Sequence, residues 1–154
     1  MVTALVEQLG VAARSGKRTF PTPVAMAEAG DAFYRDVARA GYRGAYLRKL
    51  ADDVASGALD LEELNDPELP VEEVEARLLA LPGVGPYAAA HVMLTSLGRY
   101  SRLVLDSWTR PTYAKLVGRK KVADKTIARR FKRYGDYAGL AFWLLLTQSW
   151  VPES

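Results

Sequence analysis

The sequence predicts an all-α protein, and three observations lead to that fold class. Apolar side chains recur every three or four residues in successive stretches, which is the spacing of one helix face. No stretch sustains the alternation of apolar and polar residues that marks a half-buried strand. Glycines, prolines and capping residues separate the apolar stretches, as they do at helix ends. The chain has 154 residues, so one domain over residues 1–154 is expected.

The first half of the chain predicts a series of helices separated by turns. Met1 to Leu9 has helical spacing, with no capping residue before it. Thr22-Pro23 is typical of an N-cap followed by proline at the first helical position. Asp31 predicts the start of a helix through Ala40 that Gly41 ends, and a long helix is expected from about Tyr42 to Ser56. Asp60 to Leu64 predicts one short helical turn.

The second half predicts five more helices, with a tight hairpin between the first two. A short extended piece, Leu103 to Leu105, comes before the third of them. The predicted helices are Val71–Leu81, Tyr87–Leu97, a helix after Asp106 to about Val117, the basic amphipathic Ala123–Tyr134 and the apolar Tyr137–Ser149.

Composition excludes several classes of function. The chain has no cysteine, which excludes disulfides, thiolate zinc sites and iron–sulfur clusters. His91 is the one histidine, so a histidine-based metal or catalytic cluster is not expected. No apolar run has the length of a bilayer span, and no signal peptide is evident at the N-terminus. We expect the chain in the cytoplasm, which includes the nucleoid, or in the nucleus if DNA is its partner.

Charge is distributed unevenly along the chain. Residues 99–154 hold 12 Lys and Arg against 4 Asp and Glu, a net charge of +8. Residues 1–98 hold 9 against 14, a net charge of −5. Such polarity suits a protein that turns one face toward a polyanion. On charge alone, a solvated basic helix without a partner explains the pattern equally well.

The string Leu81-Pro82-Gly83-Val84-Gly85-Pro86 predicts a tight turn between two helices. Two glycines around one apolar residue allow positive φ and a close approach of the backbone. The next helix then begins with free amides at the positive end of its dipole, which is a binding site for a phosphate. The alternative is a plain turn between two helices, with glycine there for its geometry.

The full string resembles the helix-hairpin-helix element of base-excision DNA glycosylases, the HhH-GPD family. The resemblance extends from about Leu5 to Trp150. It implies an all-α glycosylase core, N-terminally incomplete because the family normally has helices before the position of Met1. It also implies double-stranded DNA containing a damaged base as the partner, bound by a monomer, and no membrane.

The resemblance further implies which residues contact the DNA. Pro82, Gly83, Val84 and Gly85 lie where the family binds phosphates through the hairpin. Gly41-Tyr42-Arg43 lies where family members place a loop that wedges into DNA, so Tyr42 or Arg43 is a candidate for that role. The alternative interpretation of Gly41-Tyr42-Arg43 is a helix cap followed by a surface arginine.

Asp106 is the candidate catalytic residue. It follows Gly85 by 21 residues, after an apolar run and before a predicted helix. By position alone an aspartate there is an N-cap. The resemblance implies more, because family members carry a catalytic aspartate about that far beyond the hairpin. Arg110, four residues later, is a candidate DNA contact, and Trp108 is a candidate wall of the base pocket.

Tyr87 distinguishes between branches of the family. Some members place a lysine two residues after the second hairpin glycine, and its amine also cleaves the strand through a Schiff base. Here that position is Tyr87, which resembles the aromatic residue of the monofunctional alkylation-repair (3-methyladenine glycosylase II-like) branch, whose members also lack the cluster-binding cysteines. Tyr87 could stack on a flipped base or simply pack in the core. The closest lysine outside the hairpin is Lys115.

The resemblance therefore implies a monofunctional DNA glycosylase acting on an alkylated or deaminated base. No cofactor is required, although family members often hold a monovalent cation on the backbone carbonyls of the hairpin. His91 is expected to pack on a buried helix, and Trp143 and Trp150 are expected in the core or in the pocket wall, with the core the preferred interpretation. The alternatives are a non-catalytic DNA-binding module or inactive glycosylase fragment, and an all-α protein whose basic helix contacts another protein.

Overall fold

The computed structural model describes residues 1–150, which contain helices and turns with no β-strand; their regular elements confirm the all-α class. Its α-helices are α1 (Val2–Leu9), α2 (Pro23–Glu28), α3 (Gly30–Ala32), α4 (Arg43–Ala55), α5 (Val71–Leu79), α6 (Pro86–Thr95), α7 (Thr109–Leu116), α8 (Asp124–Phe131) and α9 (Ala138–Thr147). A π-helical turn covers Phe33–Val37, and 3-10 turns cover Glu62–Asn65, Lys132–Tyr137 and Gln148–Trp150. Within the described range, no helix is both long and apolar enough to cross a membrane.

The residues group into two compact units. The N-terminal unit contains Met1–Asp66 together with Leu81–Gly83, and the C-terminal unit contains Pro67–Ala80 together with the chain from Val84 onward. Each unit is described by itself below. The single domain expected from chain length stays a prediction.

The N-terminal unit has a small apolar core under α1, α2 and α4. Leu5, Met26, Tyr34 and Ala51 are buried together. The Tyr34 hydroxyl donates a hydrogen bond of 2.7 Å to the Met26 carbonyl, which satisfies a buried polar group inside this core. Thr22 accepts the amide of Ala25 at 3.2 Å, so the predicted cap and proline start of α2 are confirmed.

The helix predicted from Asp31 to Ala40 differs from the observed structure. The segment forms the single turn of α3 and then the π-helical turn, and the backbone turns at Arg39, whose φ is +50°. The carbonyl of Tyr34 accepts the amide of Ala40, six residues on. Asp31 does not cap a helix; its carboxylate forms an ion pair of 2.6 Å with Arg48 of α4.

The C-terminal unit has two apolar clusters that fix α6 to α9. The larger one joins α7, α8 and α9 and contains Tyr113, Ile127, Phe131, Ala138, Phe142 and Leu146. The smaller one joins α6 to the extended segment before α7 and contains Ala90, Leu94 and Val104. Val104 is buried between Leu103 and Leu105, so the segment that leads to Asp106 is anchored in the core.

Gly139 brings the start of α9 against this extended segment. Its amide donates a hydrogen bond of 2.7 Å to the Tyr100 carbonyl. A Cβ atom at Gly139 would collide with the Arg102 carbonyl oxygen. Glycine is therefore required at this close approach, which fixes the backbone a few residues before Asp106.

The helix expected after Asp106 begins at Thr109, and Pro111 is its third residue. The first four amides of a helix have no partner within it, so the missing N–H of Pro111 costs no hydrogen bond. Of the two C-terminal tryptophans, Trp143 packs against the smaller cluster, as expected of a core residue, whereas Trp150 differs from that expectation. Trp143 is half-buried, whereas Trp150 is 63% exposed.

Candidate functional site

Asp106 is held in one orientation by the start of α7. Its Oδ1 atom accepts the backbone amides of Trp108 at 2.9 Å and of Thr109 at 2.6 Å. In return, the Thr109 hydroxyl accepts the amide of Asp106 at 2.8 Å, and Thr109 is fully buried. This reciprocal pair resembles a capping box, although Trp108 occupies the N-cap position itself. Oδ2 accepts no hydrogen bond from any residue within 1–150, so one oxygen is oriented and the other is available.

The same contacts set the charge of the carboxylate. Partial burial raises the pKa of Asp106, but hydrogen bonds from Thr109 and Trp108 and the positive charge of Arg110 together outweigh it. The pKa therefore lies below the ordinary range of an aspartate. Asp106 is ionised at neutral pH, as a group that stabilises positive charge must be.

Arg110 forms a two-pronged ion pair with Asp124, the first residue of α8. Both contacts are 2.9 Å, and both side chains are almost half exposed. The hydrogen bonds to Asp124 raise the pKa of Arg110, and in turn they lower the pKa of Asp124. Arg110 was predicted to contact DNA; in this structure its guanidinium is occupied by Asp124, and the DNA contact stays a prediction.

A cavity of about 190 Å³ brings two of the predicted site residues together. It is lined by Pro86, Tyr87, Leu103, Leu105, Arg110 and Asp124. Tyr87 comes from the start of α6 and Arg110 from the start of α7. Leu105 is the residue immediately before Asp106. The start of the helix after the hairpin and the segment around the candidate catalytic residue thus share one concave surface.

Five aromatic rings form a connected group beside this cavity, here called the aromatic cluster. Tyr87 lies 5.8 Å from His91, and His91 lies 5.3 Å from Trp143, measured between ring centroids. Trp143 lies 6.0 Å from Trp108, and Trp108 lies 5.4 Å from Trp150. Tyr87, Trp108 and Trp150 are 47%, 38% and 63% exposed. The cluster therefore joins a predicted pocket residue, Tyr87, to Trp108, two residues from Asp106.

Sequence reasoning singled out only Tyr87 and Trp108 of this cluster. His91 was expected only to pack on a buried helix, and Trp143 and Trp150 were expected in the core in preference to the pocket wall. One signal was available, because His91 follows Tyr87 by four residues and so lies on the same helix face. No local pattern predicts that Trp143 and Trp150 meet the others, because they come from a distant part of the chain.

The two hairpin glycines have different reasons for being glycine. Gly83 has a φ of +77°, and a Cβ atom there would collide with the ring of Tyr46. Gly85 has an ordinary φ of −101°, and a Cβ atom there would have no described atom within 4 Å. The fold of the chain thus explains Gly83 and leaves Gly85 unexplained. Pro82 and Val84 are both partly buried in the turn.

The hairpin leaves the first amides of α6 free. The first hydrogen bond of the helix runs from the Ala89 amide to the Gly85 carbonyl, at 2.9 Å. The amides of Tyr87 and Ala88 have no acceptor within residues 1–150. These amides, at the positive end of the helix dipole, present the donor groups that bind a phosphate.

Comparison with solved structures identifies the fold of this chain. No protein-family model and no curated protein matches the sequence. A structure of the Clostridium acetobutylicum 8-oxoguanine glycosylase/lyase, in complex with double-stranded DNA containing cytosine opposite 8-oxoG, matches 96% of this chain and 51% of its own. The identity is 27% and the TM-score is 0.77. The chain has the helix-hairpin-helix DNA glycosylase fold.

Two further solved structures agree with this glycosylase fold. MBOgg1 in complex with a low affinity DNA ligand has 27% identity and a TM-score of 0.77, over 94% of this chain and 50% of its own. The 3-methyladenine DNA glycosylase of Archaeoglobus fulgidus has 22% identity and a TM-score of 0.71, over 98% and 52%. At that identity the last match supports the fold alone. The chain spans about half the length of the solved proteins that it matches.

The wedge candidates of the glycosylase fold lie in the N-terminal unit. Tyr42 is 69% exposed, directly after Gly41, whose φ is +57°. The guanidinium carbon of Arg43 lies 4.6 Å above the Tyr42 ring, and that ring lies 6.3 Å from the ring of Tyr46. Tyr46 also supports Gly83, so this unit brings the exposed Tyr42 close to the first hairpin glycine. The roles of Tyr42 and Arg43 on DNA stay predictions.

Basic side chains dominate the glycosylase fold around α7 and α8. The only acidic residue between positions 107 and 135 is Asp124, which Arg110 already neutralises. A cavity of about 480 Å³ is lined partly by Arg110, Lys120 and Lys121. This surface offers positive charge to a polyanion.

Proposed function

We propose that this chain hydrolyses the N-glycosidic bond of a damaged base, alkylated or deaminated, in duplex DNA. The observation that carries the proposal is the carboxylate of Asp106, ionised, fixed through one oxygen and free at the other. Asp106 does not itself line the 190 Å³ cavity, but the residue before it, Leu105, does, together with Tyr87 of the helix after the hairpin. The likeness to the Clostridium acetobutylicum 8-oxoguanine glycosylase/lyase at 27% identity supports the same activity class.

The chemistry explains why one carboxylate is sufficient. Cleavage of the bond between base and sugar builds positive charge on the sugar, and a nearby fixed carboxylate stabilises that charge. The free Oδ2 can in addition orient a water or accept its proton. Because the bond is inaccessible inside a duplex, the base must first leave the stack and enter the protein. The exposed rings of the aromatic cluster offer faces on which it can stack.

The hairpin supplies the hold on the DNA backbone in this proposal. The free amides of Tyr87 and Ala88 bind a backbone phosphate whatever the base sequence. This contact positions the duplex without recognising its sequence. Gly85 then has its explanation, because a side chain there would keep the phosphate away from those amides. Tyr42 or Arg43 would fill the gap that the flipped base leaves.

Two classes of damaged base are candidate substrates. An alkylated base is electron-poor and often cationic, and stacking on electron-rich rings favours it. An oxidised purine is the second candidate, because the matched Clostridium acetobutylicum protein is an 8-oxoguanine glycosylase/lyase. A non-catalytic DNA-binding module has the same hairpin and basic surface but would release no base.

The proposed reaction requires no cofactor, although a monovalent cation could bind at the hairpin. The carbonyls of Leu81 and Gly83 accept no backbone hydrogen bond within residues 1–150, so the turn has free oxygens for the monovalent cation that the family often holds. Such a cation would add positive charge near a bound phosphate. The hydrolysis proposed for Asp106 needs neither a metal nor an organic cofactor, and a monomer suffices for it.

The experiment that tests the proposal is base release from a panel of duplex oligonucleotides. Each duplex carries one alkylated, deaminated or oxidised base, and an undamaged duplex is the control. The products are separated on a gel before and after hot alkali, which cleaves abasic sites. We expect cleavage of at least one lesion duplex; binding of every duplex without any release would favour the DNA-binding module.

The proposed enzyme leaves the DNA strand intact, because Tyr87 occupies the position at which lyases carry lysine. We expect strand breaks only after alkali, and no covalent complex after reduction with borohydride, since no Schiff base forms. The Clostridium acetobutylicum protein is a glycosylase/lyase, so the absence of lyase activity would distinguish this chain from it. A trapped complex in the wild type would contradict the prediction, and its loss in Lys115→Ala would assign the amine.

The pH dependence of base release follows from the depressed pKa of Asp106. A carboxyl with a lowered pKa is ionised above that pKa and becomes protonated only as the pH falls through it. We expect the single-turnover rate to hold on acidification through the range in which an ordinary aspartate becomes protonated, and to fall only below that range. The stabilising cap at α7 is lost in the same acidic window. A rate that falls tenfold between pH 7 and pH 5 would contradict Asp106 as the sole titrating group.

A further inference from the structure

The aromatic cluster contains one imidazole, that of His91, and its buried Nδ1 atom has no partner among residues 1–150. Nδ1 of His91 is buried and accepts or donates no hydrogen bond within residues 1–150. The ring contacts of His91 are with Tyr87 and Trp143, at 5.8 and 5.3 Å between centroids. A buried polar atom without a partner destabilises the folded protein, so this one calls for an explanation. A bound group that pairs with it would supply one.

The position of His91 makes an extruded base the natural partner. Tyr87 lines the 190 Å³ cavity together with Leu105, the residue before Asp106. His91 does not line this cavity, but its ring lies 5.8 Å from the ring of Tyr87, which does. Tyr87 is 47% exposed, so its ring can turn aside with little loss of buried contact and open a path to Nδ1.

We propose, on the basis of the function proposed above, that His91 selects the base through a hydrogen bond to its edge. A neutral imidazole has one donor and one acceptor nitrogen, which suit a carbonyl or a ring N–H. 3-Methyladenine has no carbonyl that could accept a hydrogen bond from the imidazole N–H, so it gains less from this group. The preferred substrate is therefore a neutral purine with an added carbonyl. Deamination and oxidation both create this chemistry, as in hypoxanthine and 8-oxoguanine.

Two variants of His91 separate its ring from its hydrogen bond. His91→Phe keeps an aromatic ring between Tyr87 and Trp143 without any polar atom. His91→Asn keeps a hydrogen-bonding group near the place of Nδ1 without the ring. Single-turnover release is measured for hypoxanthine and 8-oxoguanine duplexes and for 3-methyladenine in methylated duplex DNA. The quantity compared is the ratio of each oxo-purine rate to the 3-methyladenine rate.

We expect His91→Phe to lower that ratio about tenfold for at least one oxo-purine. The oxo-purine affected shows whether the recognised carbonyl comes from deamination or from oxidation. His91→Asn should keep the wild-type ratio within about threefold, even if both rates fall. An unchanged ratio in His91→Phe would overturn the role of His91 and leave the glycosylase proposal standing.

Ser101 provides a matched control. Its Oγ is the other buried side-chain oxygen or nitrogen without a partner among the described residues, and it lies outside the aromatic cluster. Removing an unpaired buried atom should raise the Tm of both Ser101→Ala and His91→Phe by a few degrees. Only His91→Phe should change the release ratio. A ratio that changes equally in Ser101→Ala would show a general effect of stability and overturn the inference.

Binding separates failure of this inference from failure of the proposed function. If the wild type releases no base, duplexes with 2′-fluoro-deoxyinosine and 2′-fluoro-deoxyadenosine are compared in direct binding. A preference for the inosine duplex that His91→Phe removes would support His91 while the catalytic proposal fails. Equal binding of both duplexes by the wild type would overturn the inference as well.

Discussion

Replacing Asp106 with asparagine should lower the rate of base release by on the order of 10²–10³. The change removes the negative charge that stabilises the sugar cation, and the amide cannot accept a proton from water. Asparagine can still accept the amides of Trp108 and Thr109, so we expect the fold and the start of α7 to survive. The measurement is single-turnover release on whichever lesion duplex the wild type processes, with DNA affinity determined in parallel.

Asp124→Asn is the matched control for Asp106→Asn. Asp124 lines the same 190 Å³ cavity, and its carboxylate is committed to Arg110. An exposed ion pair of this kind contributes little to stability, so the variant should fold and retain base release within about tenfold. Full activity in Asp106→Asn, or an equal loss in both variants, would contradict the role assigned to Asp106.

Alanine at the two hairpin glycines should produce opposite effects. Gly83→Ala should lower the free energy of unfolding by at least about 1–3 kcal/mol, because alanine is strained at positive φ and its Cβ collides with Tyr46. Gly85→Ala should change stability by less than about 1 kcal/mol, because its backbone is ordinary and its surroundings are open. The measurement is urea unfolding of each variant beside the wild type.

The two variants should rank in the opposite order when the measured quantity is DNA affinity instead of stability. With both proteins kept below their unfolding transitions, Gly85→Ala should bind duplex DNA about ten- to a hundredfold more weakly, since charge-assisted contacts to a phosphate are lost. Raising the salt concentration should weaken the wild type more steeply than Gly85→Ala. Wild-type affinity in Gly85→Ala would show that the hairpin amides do not hold the phosphate.

The parts of the fold that the sequence predicted correctly are those with local causes. Thr22 and Pro23 start α2 through a side-chain cap and a preset φ, and such effects act within one turn. The hairpin also has a local cause, because its first glycine takes the positive φ that the sequence implies. The place of Asp106 before a helix follows from the amides that α7 exposes at its start.

The errors lie where distant contacts override local preference. Asp31 has the character of a helix cap, yet Arg48 of the next long helix captures its carboxylate. The π-helical turn and the positive φ of Arg39 have no signature in the residue types there.

The aromatic cluster shows the same limit for the candidate site. It joins α6, the N-cap residue of α7, the middle of α9 and the 3-10 turn after α9, so no single stretch of sequence contains it. Tryptophan is a large apolar residue that a sequence pattern assigns to the core, yet Trp150 is exposed beside Trp108. Pairing of residues this far apart in sequence depends on the packing of whole helices, which local patterns do not encode.

The most direct test of the central claim is detection of the free base itself. The wild-type chain is incubated with lesion duplexes, the DNA is removed, and the supernatant is examined by mass spectrometry, with Asp106→Asn as the blank. The account predicts one or more damaged bases in the wild-type supernatant, intact strands that alkali cleaves, and no base above background in the variant. Lesion duplexes that are bound by the wild type and recovered with every base still attached would contradict it.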